Sequence, residues 1–155
     1  MEFASRDQIG GVAELHEAGR GLQTRAERLA RWAEVLKRDP DRTLRSLGEI
    51  EFVPEEEREA LRVDGSPLTV AFEDPLLRVA GLASDRYGDA VRFFELSERE
   101  AHRLLCSCMN GWSMRAGALG SRVERLAARK PSQILARWLG IWGSAAAASA
   151  LWILH

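Results

Sequence analysis

The stretch Leu22-Gln-Thr-Arg-Ala-Glu-Arg-Leu-Ala-Arg-Trp-Ala-Glu-Val-Leu-Lys-Arg-Asp-Pro40 decides the fold class. Together with the residues before it, it carries Leu15, Gly19, Leu22, Ala26, Leu29, Ala33 and Leu36 at alternating steps of four and three. That spacing draws one stripe down a helix of about six turns at 3.6 residues per turn. The opposite side is charged, with Glu27 and Arg31, and Glu34 and Arg38, at the i, i+4 spacing that supports an exposed helix face. Gly or Ala fills three of the seven stripe positions. Such a stripe is thin for an intermolecular coiled-coil seam and suits close packing in a helical hairpin.

Outward from this helix, stop and start signals recur at short intervals. Asp39-Pro40 ends the first helix and predicts a short second one through Leu44 and Leu47, closed by Gly48. Residues 49–53 alternate like a brief strand, and Pro54 with Glu55, Glu56 and Glu57 opens another short helix. Asp64-Gly65 followed by Leu68-Thr-Val-Ala-Phe72 predicts a second strand, so that 49–53 and this segment would form a two-stranded ribbon lying on the helices. Further helices are predicted after Asp74-Pro75, after Ser84, and after the capping box Ser97-Glu-Arg-Glu100. The last of these is expected to bury Ala101, Leu104, Leu105 and Cys108 before Asn110-Gly111 ends it. Trp112, Ala116, Leu119, Val123 and Leu126 then define one more helical stripe, broken by Lys130-Pro131. The expected fold class is all-α: an irregular multi-helix bundle with a long N-terminal helix and at most a minor two-stranded β-ribbon. The expected organisation is a helical domain over 1–131 and an apolar C-terminal helix over 132–155.

The chain has 155 residues, 46% hydrophobic and 29% charged, enough for one ordinary globular domain. A net charge of −1 argues against a general nucleic-acid binder and against a disordered chain. The charge is unevenly spread: residues 51–100 carry six basic and thirteen acidic side chains, and residues 101–155 seven and one. The acidic middle and basic end are expected to complement each other within the fold. The opening residues lack a basic start followed by an apolar run, and two cysteines are too few for a disulfide framework, so a reducing, cytoplasmic setting is expected.

Residues 138–154 are seventeen positions without a charge, preceded by Arg129, Lys130 and Arg137. Their length meets the lower limit of about 17 residues for a membrane span, and Trp138, Trp142 and Trp152 sit near the ends as interfacial rings do. The centre, Gly143-Ser-Ala-Ala-Ala-Ala-Ser-Ala150, has no Leu, Ile, Val or Phe to drive insertion. Gly140, Ser144 and Ala148 form a small-residue ladder on which another helix can pack closely. The sequence therefore favours a partner-binding helix with the three Trp as anchors, acting on another protein or a second copy, with a tail anchor in a membrane as the alternative.

Chemistry is sparse. Among His102, Cys106 and Cys108, the first two share a helix face, whereas Cys108 would point roughly 200° from Cys106 on a continuous helix. The three would converge on an ion only if the helix unwound, so no metal site is expected, Cys108 reading as a small core residue and His102 and Cys106 as partly buried. No phosphate-cradling loop, nucleophile elbow or zinc-protease motif is present, and neither catalytic nor cofactor-binding residues are assigned. Asp85 and Asp89 read as a solvated helix face balanced by Arg86 and Arg92.

Leu96-Ser-Glu-Arg-Glu100 leading into a helix, then Asn110-Gly-Trp-Ser113 and a second helix, resembles the opening two helices of a LuxR-type helix-turn-helix, in which Leu-Thr-x-Arg-Glu leads to Gly-x-Ser before the next helix. The resemblance covers about thirty residues and implies nucleic-acid contact by the helix bearing Arg115, Arg122, Arg125, Arg129 and Lys130. That helix meets Pro131 where a recognition helix would follow, so phosphate contact, rather than base reading, is what it implies. The functional expectation is a small non-enzymatic regulatory or interaction module, with membrane tethering and nucleic-acid binding as alternatives.

Overall fold

A computed structural model describes residues 21–129. The order along the chain is α1 (Arg25–Arg38), β1 (Thr43–Arg45), a 3-10 turn (Ile50–Phe52), α2 (Glu55–Arg58), α3 (Pro67–Glu73), α4 (Pro75–Val79), α5 (Tyr87–Phe93), α6 (Glu98–Leu105), α7 (Ser107–Asn110), β2 (Ser113–Arg115) and α8 (Ala116–Ala127). This is the expected all-α class with one minor antiparallel ribbon.

Caps set most of these boundaries. Thr24 starts α1 with a capping box: its hydroxyl accepts from the Glu27 amide, and the Glu27 carboxylate accepts from the Thr24 amide at 2.7 Å. The helix is therefore shorter than the stripe predicts, with Leu22 outside it and Leu15 and Gly19 outside the described residues. Asp74 ends α3 and caps α4, accepting from the amides of Leu76 and Leu77, and Ser97 caps α6 with Glu100 reaching back.

The ribbon forms from residues other than those expected. Thr43–Arg45 pairs with Ser113–Arg115, although the sequence pattern predicts helix around both segments. The expected strands are a 3-10 turn at Ile50–Phe52 and helix α3 at Pro67–Glu73. Ser66 and Pro67 explain the latter: the Ser66 hydroxyl accepts from the Thr69 amide and Pro67 presets the first helical φ. Trp112 likewise precedes β2 rather than opening α8, so the stripe Ala116, Leu119, Val123 and Leu126 is buried while Trp112 is 81% exposed.

The core lies between α1 and the remaining helices. Fully buried Trp32 stacks on Phe94, ring centroids 4.5 Å apart, and its indole N–H donates to the Pro67 carbonyl at 3.2 Å. The small-residue side of α1 packs closely, but against α8 at the far end of the fold rather than in a hairpin with its neighbour: a Cβ on Gly120 would stand 3.1 Å from the Ala33 carbonyl oxygen, and one on Gly117 2.8 Å from the Pro40 ring. Asp85 is buried rather than solvated, accepting from Arg62 at 2.7 Å and from the Thr69 hydroxyl at 3.2 Å. Asp89 pairs with Arg92 instead.

Candidate functional site

The segments 46–52 and 106–112 meet at one corner of the bundle. Leu47 and Cys106 form an isolated parallel bridge, in which the Leu47 amide donates to the Leu105 carbonyl at 2.9 Å and the Ser107 amide to the Leu47 carbonyl at 2.8 Å. The Ser46 amide donates to the Trp112 carbonyl at 3.1 Å, extending the junction. These bonds draw Cys106 out of the helix into extended backbone, φ −77° and ψ 141°, so that it is both the last cap of α6 and the first of α7. Asn110 closes the following turn, its side-chain amide donating to the carbonyls of Cys106 at 3.0 Å and Arg103 at 3.2 Å. Gly111 then reverses the chain with φ +68°, a backbone conformation glycine takes at no steric cost.

The break at Cys106 overturns the expected geometry of the sulfurs. A continuous helix would turn Cys108 away, whereas here the two Sγ atoms stand 2.9 Å apart. The ligand atoms of His102, Cys106 and Cys108 all lie within 4.8 Å of one another. Cys106 is fully buried and Cys108 exposed, so Cys108 is not the core residue the periodicity predicts. The hydrogen bond between the sulfurs pushes the Cys108 thiol up to about 11, with Glu51 and Glu49 acting in the same direction. His102 is 8% exposed. Its Nδ1 faces the Glu51 carboxylate at 3.2 Å, and its Nε2 is buried without a hydrogen-bond partner among the described residues. A cleft of about 470 Å³ opens beside them, lined in part by Glu51, His102, Cys108 and Met109.

The same corner exposes large apolar side chains. Among the described residues the exposed large hydrophobics are Phe52 (77%), Met109 (57%) and Trp112 (81%), and all three lie on the two segments that meet here. Glu49, Glu51, Glu55, Glu56 and Glu57, next to Phe52 in the chain, are all exposed. The sequence singles out neither Glu51, placed in a predicted strand, nor Phe52 and Met109. Only a break in α6 makes them neighbours of the cysteines, and no periodicity announces that break.

The other predicted site residues are not gathered into one place. Trp138, Gly140, Trp142, Ser144, Ala148, Trp152 and Lys130 lie outside the described residues, and with them the tail anchor. Among the described residues no helix is long and apolar enough to cross a membrane. Arg115 pairs with Asp41 at 2.9 Å and Arg122 with the Asn110 side chain, while Arg125 and Arg129 are exposed on and just beyond α8. Helices α6 and α8 are separated by α7 and strand β2, so the tight turn of a helix-turn-helix is not formed here. Compared with protein-family models, with curated proteins and with solved structures, the chain matches none.

Proposed function

We propose that this chain is a non-catalytic binding module that receives an apolar segment of another protein on the ridge formed by Phe52, Met109 and Trp112. One observation carries the reading: twenty-four hydrophobic residues are buried in a single core, yet among the described residues the exposed large ones, Phe52, Met109 and Trp112, all lie on the two segments that meet at the Leu47–Cys106 junction. Large apolar side chains left in water at one place mark an interaction site more often than scattered ones do. Aromatic and methionine side chains are also those that interfaces favour. The adjoining carboxylates suit a partner whose apolar segment is flanked by Lys or Arg, where charge complementarity sets orientation and speeds encounter. The reading fits a reducing compartment, in which both cysteines stay as thiols.

A photo-crosslinking residue placed at Trp112 tests it, with one at exposed Ala118 on α8 as the control. The expected result is a discrete adduct from position 112 alone, lost when Met109→Ser is added and weakened by salt. An adduct of twice the chain's mass would identify the partner as a second copy. Equal adducts from both positions, or an adduct indifferent to Met109→Ser, would reject the ridge as the contact.

A further inference from the structure

We propose that His102, Cys106 and Cys108 form a three-ligand site for zinc(II), with Glu51 fixing the histidine from the side away from the ion. Zinc takes thiolate sulfur at about 2.3 Å and imidazole nitrogen at about 2.0–2.1 Å, so neighbouring ligand atoms of a tetrahedral site stand roughly 3.5–3.8 Å apart. Here a ring nitrogen of His102 and the two sulfurs already lie within 4.8 Å of one another. The sulfurs, at 2.9 Å, have to part by less than about 1 Å, which a small side-chain rotation of exposed Cys108 supplies. Buried Cys106 is held by the Leu47 bridge and serves as the fixed point.

The histidine supplies a second, independent observation. A metal-bound imidazole commonly donates its other N–H to a carboxylate, which sets its tautomer and raises its basicity. His102 has that arrangement, with Nδ1 at 3.2 Å from Glu51 and Nε2 buried and without a partner among the described residues. An orphaned buried ring nitrogen costs free energy that coordination would recover. Two sulfurs and one imidazole select zinc or a similarly soft ion over magnesium or calcium, which take oxygen ligands. The exposure of Cys108 leaves the fourth position facing the cleft, open to water or to a ligand from a partner.

The test uses the full chain, reduced and stripped with a chelator, and titrated with cobalt(II) as the spectroscopic probe. Cys106 and Cys108 are its only cysteines, so any thiolate-to-cobalt charge-transfer band reports on this site. The expected band saturates at one metal per chain and is bleached by zinc. Glu51→Gln weakens binding about 10- to 100-fold, as loss of a carboxylate behind a metal-bound histidine does, and Cys108→Ser weakens it more. Trp112→Ser leaves it unchanged, which separates this site from the ridge. Cys108 is exposed, so its variant is expected to keep the helical circular dichroism of the parent. With that spectrum intact, the proposal fails if the parent gives no band at one equivalent or if Cys108→Ser retains it in full. Saturation at half an equivalent with dimerisation would equally overturn a site built within one chain.

Discussion

Gly117 has the ring of Pro40 where a side chain would go. A Cβ there would stand 2.8 Å from the Pro40 Cβ and 3.2 Å from its carbonyl oxygen, atoms fixed by the turn that leaves α1. Replacing a glycine with alanine gains about 1 kcal/mol of helix propensity in a helix interior, and less at the second position of α8 where Gly117 sits. Overpacking against a rigid neighbour costs about 1–3 kcal/mol and should win. Gly117→Ala is therefore expected to lower the melting temperature by several degrees, whereas Gly48→Ala, with nothing within 4 Å, is expected to leave it unchanged. Asp74 is a second residue of this kind: fully inside the fold, it accepts from two amides of α4 and from Arg31 at 2.6 Å. Asp74→Ala removes the cap and leaves Arg31 without its buried partner, for an expected loss of about 3 kcal/mol in urea unfolding. Asp74→Asn keeps the capping oxygen and should recover about 1 kcal/mol of that. The Asp74-Pro75 cap is legible in the sequence, because Asp before Pro is a local signal. Its ion pair with Arg31, 43 residues earlier, is not.

Local chemistry of this sort explains which elements the sequence discloses. Ser97-Glu-Arg-Glu100 and Pro54 with its three glutamates mark α6 and α2 correctly, since a cap needs only its own four residues. Thr24-Arg-Ala-Glu27 is an equally local signal that marks the true start of α1, but the longer stripe through Leu15 and Leu22 hides it. Ser66-Pro67 points to helix α3 by the same logic, against strand propensity in Thr69, Val70 and Phe72. Strands β1 and β2 are another matter. Three residues carry no measurable alternation, and the pairing of Thr43 with Arg115 is made between segments far apart in the chain. The His102–Cys106–Cys108 cluster escapes for the same reason, because the bridge from Leu47 is what unwinds Cys106. The caps also make stability depend on pH. Hydrogen bonds from Thr24 hold Glu27 below its ordinary 4.5. For Glu100, burial pushes upward, but the Ser97 amide and hydroxyl together with Arg25 outweigh it and hold this carboxyl low as well. A folded-state pKa below the unfolded one gives stability that is complete above about 4.5 and is lost as pH falls through the depressed value. Urea midpoints are expected to fall between pH 5 and pH 3, and Glu100→Gln, less stable at neutral pH, should show a shallower fall.

In the whole molecule, the first and last described helices lie side by side. Ala33 and Leu36 of α1 pack against Gly120 of α8, and Lys37 reaches Glu124 at 2.6 Å across the same contact. The ribbon strands follow and precede those two helices, and so close the fold at one seam. Separation along the chain makes this seam costly to form, since the intervening loop must be closed before its contacts repay the entropy. Protein synthesis runs from the N-terminus, and α1 leaves the ribosome long before its cover has been made. Until Ala127 has emerged, the face of α1 that packs on α8 stays wet and in reach of chaperones, so this seam closes late in synthesis rather than helix by helix.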